Sequence, residues 1–173
     1  MSQAVAALFG AIITILFSGI LLESYKRHRD LQGVAPALAG EIYSIIHITD
    51  KRQTPKNFAY LLSQLEAGKQ IAWPDVTGGD RSEDDPVMNK HLDKIGLLPG
   101  NLPERITTFY TYLRGIRIDV RSLSKGIFAE PSAQAAIVRA DLILWADANQ
   151  LGNTICPIYE TLPCSPGGWQ RSS

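Results

Sequence analysis

Between Ala4 and Leu22 the chain carries no charged side chain, and this run limits what the sequence can fold into more than any other feature. Its polar side chains are Thr14 and Ser18, both able to bond back to a helix backbone. As a helix rising about 1.5 Å per residue, roughly nineteen residues reach about 28 Å, close to the ~30 Å hydrocarbon core of a bilayer. The run is apolar all round, whereas a core helix keeps a polar stripe. Met1-Ser2-Gln3 lacks the basic start of a cleaved signal, and no small-residue cleavage site follows Leu22. The expectation is a transmembrane anchor over residues 1–24. Lys26, Arg27 and Arg29 then open a basic juxtamembrane helix and hinge over 25–35, which predicts a single pass with the N-terminus outside and the C-terminal domain cytoplasmic. Ala6, Gly10, Thr14 and Ser18 repeat at every fourth position, a small-residue face expected to pack two anchors into a homodimer.

The remainder reads as helices separated by turn residues. Gly33 and Pro36 are expected to interrupt the first helix. Leu38, Ile42, Ile45 and Thr49 continue at helical spacing, and Phe58, Leu61, Leu62 and Leu65 mark a second segment stopped by Gly68. Trp73-Pro74 through Asp85 is acidic, turn-rich and aperiodic, hence a loop. Asp85-Pro86 predicts an N-cap and first-turn proline for a short helix ending at Gly96, and Asn101 with Glu104 a capping box for the next. The strongest periodicity follows, with Ile106, Phe109, Leu113, Ile116, Val120, Leu123 and Ile127 forming one apolar seam. Beyond Pro131, Ala133, Ile137, Ala140, Leu144 and Leu151 predict the face of a returning helix. The fold expected is all-α: the anchor, then an antiparallel four-helix-type bundle over 36–155, then a flexible tail over 156–173 rich in Pro and Gly.

The stretch from Asn89 to Ile106, with its Ile95-Gly96-Leu97-Leu98-Pro99 turn and the following Phe109-Tyr110 helix, resembles a group of uncharacterised bacterial single-pass membrane-anchored helical proteins. The likeness covers the anchor and much of Glu41 to Leu123. It implies a bacterial inner membrane and carries no activity to this chain.

Chemistry-bearing patterns are sparse. The 17 basic and 17 acidic residues cancel, so bulk charge argues against nucleic acid as a partner. His28, His47 and His91 fall on different elements without metal-ligand spacing. The acids Asp80, Glu83, Asp84 and Asp85 lack a calcium-loop pattern, and Gly68-Lys69 lacks the rest of a phosphate loop. Cys156 and Cys164 match neither a redox nor a zinc motif and are expected as thiols. No catalytic residue, metal or cofactor is predicted. The pattern that remains is Arg114, Arg117, Arg121 and Lys125, whose steps of three, four and four put four cations on one helix face. Such a strip meets a polyanion or acidic partner, or it pairs with the chain's own acids such as Glu41 or Asp80 to Asp85. The expected function is a membrane-anchored interaction or scaffold protein without catalysis, in contact with membrane lipid and a protein partner. The alternative is a membrane-acting effector or exclusion factor of a mobile element or defence system, and an anchored hydrolase ranks last.

Overall fold

The computed structural model describes the backbone of residues 2–74 and 85–161, with side chains of 33–74 and 85–157 and of six residues between 22 and 30. Among the described residues there are six helices and no strand: α1 (Ser2–Lys51), α2 (Thr54–Glu66), α3 (Pro86–Lys90), α4 (Leu92–Ile95), α5 (Leu102–Ser124) and α6 (Pro131–Thr161).

The α5–α6 hairpin is the frame. Its turn forms because Gly126, at φ 66, takes the left-handed conformation that ends α5, and the amides of Gly126 and Ile127 then close onto the carbonyls of Leu123 and Ser122 at 3.0 and 3.2 Å. α1 and α2 lie along α6 in succession. Ala39 meets Cys156, Ile42 and Ile46 meet Gly152, Glu66 meets Arg139, and Trp73 meets Gln134. Positions rising along α1 and α2 pair with positions falling along α6, so the two helices form one broken rod antiparallel to it. This corrects the four-helix-type bundle: three rods pack together, and α3 and α4 bridge α1 to α5.

Two buried clusters result. Leu38, Ile42, Ile106, Phe109 and Ile155, all 0% exposed, centre the larger one between α1, α5 and the second half of α6. Leu65, Leu123, Ala135 and Val138 form the smaller one under α2. Gln134, buried at its edge, accepts from the Trp73 indole at 3.0 Å and donates to the Phe128 carbonyl at 2.8 Å, so its amide is satisfied at both ends.

The transmembrane anchor expected over residues 1–24 does not stand: among the described residues no helix is long and apolar enough to cross a membrane. The apolar run opens a 50-residue helix instead of forming a separate span, and Gly33 and Pro36 lie inside that helix without interrupting it. Where its side chains are described, α1 is amphipathic. Val34, Ala35, Leu38, Ile42 and Ile46 are buried on one face, and Pro36 is exposed, so the hydrogen bond it removes falls on the outer side. Placement in a bacterial inner membrane with a cytoplasmic domain goes with the anchor. The side chains of Ala6, Gly10, Thr14 and Ser18 lie outside the described residues, as do Asp80, Glu83, Asp84, Cys164 and the side chains of Arg27 and His28.

At the other end α6 continues to Thr161 through Pro157, past the expected tail boundary at Cys156. The half-buried Cys156 thiol points at the Ala39 carbonyl, 3.9 Å away, which holds this last stretch on the core.

Candidate functional site

The four-cation strip lies in a groove of about 590 Å³ that runs along the outer face of α5, with Asp85, Met88, Asn89 and Leu92 of the α3–α4 segment as its other wall. The structure brings Arg114, Arg117, Arg121 and Lys125 together there. It also adds what the sequence reading left out. Leu92, Ile118 and Ile127, 58, 52 and 62% exposed, line the same groove, so large aliphatic side chains alternate with the cations. Ile127 was expected at the end of the buried seam. α5 stops at Ser124, and the left-handed Gly126 turns Ile127 outward.

The wall is positioned by Glu41 of α1. Its carboxylate accepts the amides of Val87 at 2.9 Å and Met88 at 3.1 Å, and the phenol of Tyr110 donates to it from α5. One half-buried carboxylate thus ties α1, α3 and α5 together and satisfies two amides at the start of α3.

Asp85 does not cap α3 as expected. At φ 58 its side chain points away from the helix start and makes no cap bond. It takes Arg117 instead, in a fork of 2.5 and 2.7 Å, with the Asp85 side chain 12% exposed. Arg117 is therefore a structural clamp across the groove floor. Arg114 and Lys125 are exposed at its two ends, and Arg121, half-buried between them, also takes part in interactions. The expected capping box at α5 is not made either. Asn101 has φ −94 and ψ 9, nearly helical, and its side chain makes no cap bond.

The other flagged residues stay apart from the groove. Lys26 and Arg29 are exposed on α1, ahead of Val34, the first buried position among the described side chains. His47 stacks on Tyr43 with ring centroids 5.6 Å apart, and His91 lies at the α3–α4 junction. Among the described residues no group of three or more His, Cys, Asp or Glu side chains is placed to hold a metal ion.

One pair was missed altogether. Asp141 is 1% exposed, at the centre of the buried stripe of α6, and Asp119 of α5 stands against it. Burial first, then the Asp119 charge and hydrogen bond, push the Asp141 carboxyl up from 3.8 to about 7. A signal was present. Ala135, Val138, Asp141, Trp145, Ala148, Gly152 and Ile155 recur at steps of three and four, with the carboxyl in the middle.

Comparison with known proteins adds no relative: no family model, no curated protein and no solved structure matches this chain.

Proposed function

We propose that this chain works as a binding protein, without chemistry of its own, and that the α5 groove takes an acidic amphipathic helix of a protein partner. The reading rests on one coincidence: four cations and three exposed aliphatic side chains line a single groove. Exposed aliphatics also occur singly elsewhere, at Ile48 and Ile143, but Leu92, Ile118 and Ile127 gather in one groove beside the cations. Covering a large aliphatic side chain fully is worth roughly 1.5–3 kcal/mol, and those already half covered give correspondingly less. Charge adds steering and register more than affinity. A nucleic-acid strand would use the cations and leave the aliphatics wet, while a helix with acids along one edge and leucines along the other uses both.

The test is anisotropy of three labelled probes with the full chain: an acidic amphipathic helical peptide, a peptide of equal charge lacking the apolar face, and a single-stranded oligonucleotide. The amphipathic peptide should bind tightest. Arg114→Glu with Lys125→Glu, which spares the Arg117 clamp, should weaken it by about tenfold, equivalent to about 1.4 kcal/mol. Equal binding of the two peptides, or preference for the oligonucleotide, would overturn the reading.

A further inference from the structure

Asp141 is the most deeply buried carboxyl among the described residues, and no cation is among the groups that act on it. Both of its oxygens lack a donor, and so does the indole nitrogen of Trp145 one turn along the same helix lack an acceptor. After burial, the neighbouring group that acts on it is the carboxyl of Asp119. Two carboxylates have no hydrogen to share, so a bond between them exists only when one of them holds a proton. Asp119 lies one turn beyond Gly115 on α5 and Asp141 one turn before Leu144 on the antiparallel α6, and a Cβ built on Gly115 would lie 3.6 Å from Leu144 Cδ1.

The charged groups on the helices packed against α6 do not relieve the pair. On α5, Arg117 is held by Asp85, and Arg114 and Arg121 line the groove on the opposite side of the helix. On α2, Glu66 is taken by Arg139 at 2.5 Å, and Lys56 and Tyr60 are exposed. On α1, Glu41 caps α3, and His47, Asp50 and Lys51 are exposed. Of all these, Asp119 is the charge that acts on Asp141.

We propose that Asp119 and Asp141 share one proton across the α5–α6 contact and form a pH-sensitive latch between these two helices. With the proton in place the pair is a hydrogen bond, and without it a second negative charge sits beside Asp119 on the buried Asp141. The sign follows from linkage. Asp141 binds its proton more tightly folded than unfolded, so the stability it supports is fully present below about pH 4 and is lost as pH rises to about 7. Most acid-sensitive proteins behave in the opposite sense, because their native carboxylates are paired with cations. The latch stands on the α5–α6 contact alone and does not depend on what the groove binds.

The experiment is carboxyl carbon-13 NMR on the full chain labelled at aspartate, with thermal unfolding followed over the same pH range. One aspartate signal should titrate near neutral pH and vanish in Asp141→Asn, and the fall in melting temperature between about pH 4 and 7 should flatten in that variant, whose side-chain amide can still donate to Asp119. Asp119→Asn, at a half-exposed site, keeps the test open if the first variant folds poorly: removing the neighbouring charge should move the Asp141 midpoint toward acid by about one unit. An aspartate signal titrating only below pH 5 would overturn the proposal, and so would a midpoint unmoved by Asp119→Asn.

Discussion

Glu41 lies on α1, yet it caps a helix that begins more than 40 residues later, where its carboxylate accepts the Val87 and Met88 amides. Glu41→Gln keeps the length and removes one acceptor oxygen together with the charge. At least one amide at the start of α3 then loses its partner, which costs about 1–3 kcal/mol when the group cannot reach water. Amide hydrogen exchange checks this locally: Val87 and Met88 should lose protection while the middle of α5 keeps it. Unchanged protection at both would show that α3 does not depend on Glu41. Such a cap is invisible to sequence reading, which looks for capping residues within a few positions of a helix start. Asp85 satisfied that local rule, and its left-handed backbone turned the side chain toward Arg117 instead. The cation strip was legible because helical spacing alone places four such residues on one face. The aliphatics that share the groove were not, because Leu92 reaches it from another element and Ile127 through a turn.

At the scale of single helices, apolar periodicity located α2, α5 and α6 and set Gly68, at φ 75, as the stop of α2. On α6 it found only part of the inward side. The expected face ran through Ala133, Ile137, Ala140, Leu144 and Leu151, of which Ile137 and Leu151 pack against the two clusters while Ala140 is exposed, and the buried stripe runs through Val138, Asp141, Ala148 and Gly152. A periodicity argument steers away from a stripe centred on aspartate, since an unpaired buried charge is costly. A shared proton removes that objection. Gly152 shows why this face must be inside. A Cβ there would lie 2.4 Å from Ile46 Cδ1, 3.0 Å from Phe109 Cε2 and 3.2 Å from Ile42 Cγ2. Gly152→Ala gains about 1 kcal/mol of helix propensity, but crowding three core side chains at once costs about 1–3 kcal/mol. The variant should therefore be net destabilised in urea unfolding. Ile46→Val removes the nearest of the three atoms, so adding it should recover part of the loss, and the double-mutant cycle should show coupling of at least about 0.5 kcal/mol. Additive effects would mean that α6 does not approach α1 this closely.

For the whole molecule, the apolar run of residues 4–22 had the largest influence on the sequence reading. Length and hydropathy describe a segment in isolation, and they do not register that the same helix continues without a break into a core-facing stripe at Val34, Leu38 and Ile42. Arrangement of the rods was equally hidden. Four amphipathic segments suggest a bundle, while the break at Arg52-Gln53, where Gln53 adopts φ 51, sets α2 in line with α1 along α6. This layout separates two clusters lengthwise, with Ile106 in one and Leu123 in the other. Both belong to α5, and α6 passes through both as well. A chain whose two cores share the same pair of helices has no seam at which one core can melt alone. Ile106→Ala and Leu123→Ala should each cost about 2–5 kcal/mol, the range for large buried aliphatics. Each should displace the same single transition. Helical ellipticity and tryptophan fluorescence report different places, since Trp73 packs against the smaller cluster and Trp145 against the larger. Their unfolding curves should coincide in the full chain and in both variants. If Leu123→Ala splits the curves, with the fluorescence change preceding the loss of helix, then α2 and the start of α6 form a unit of their own. The α5–α6 hairpin would then be a hinge between two bodies instead of a common frame.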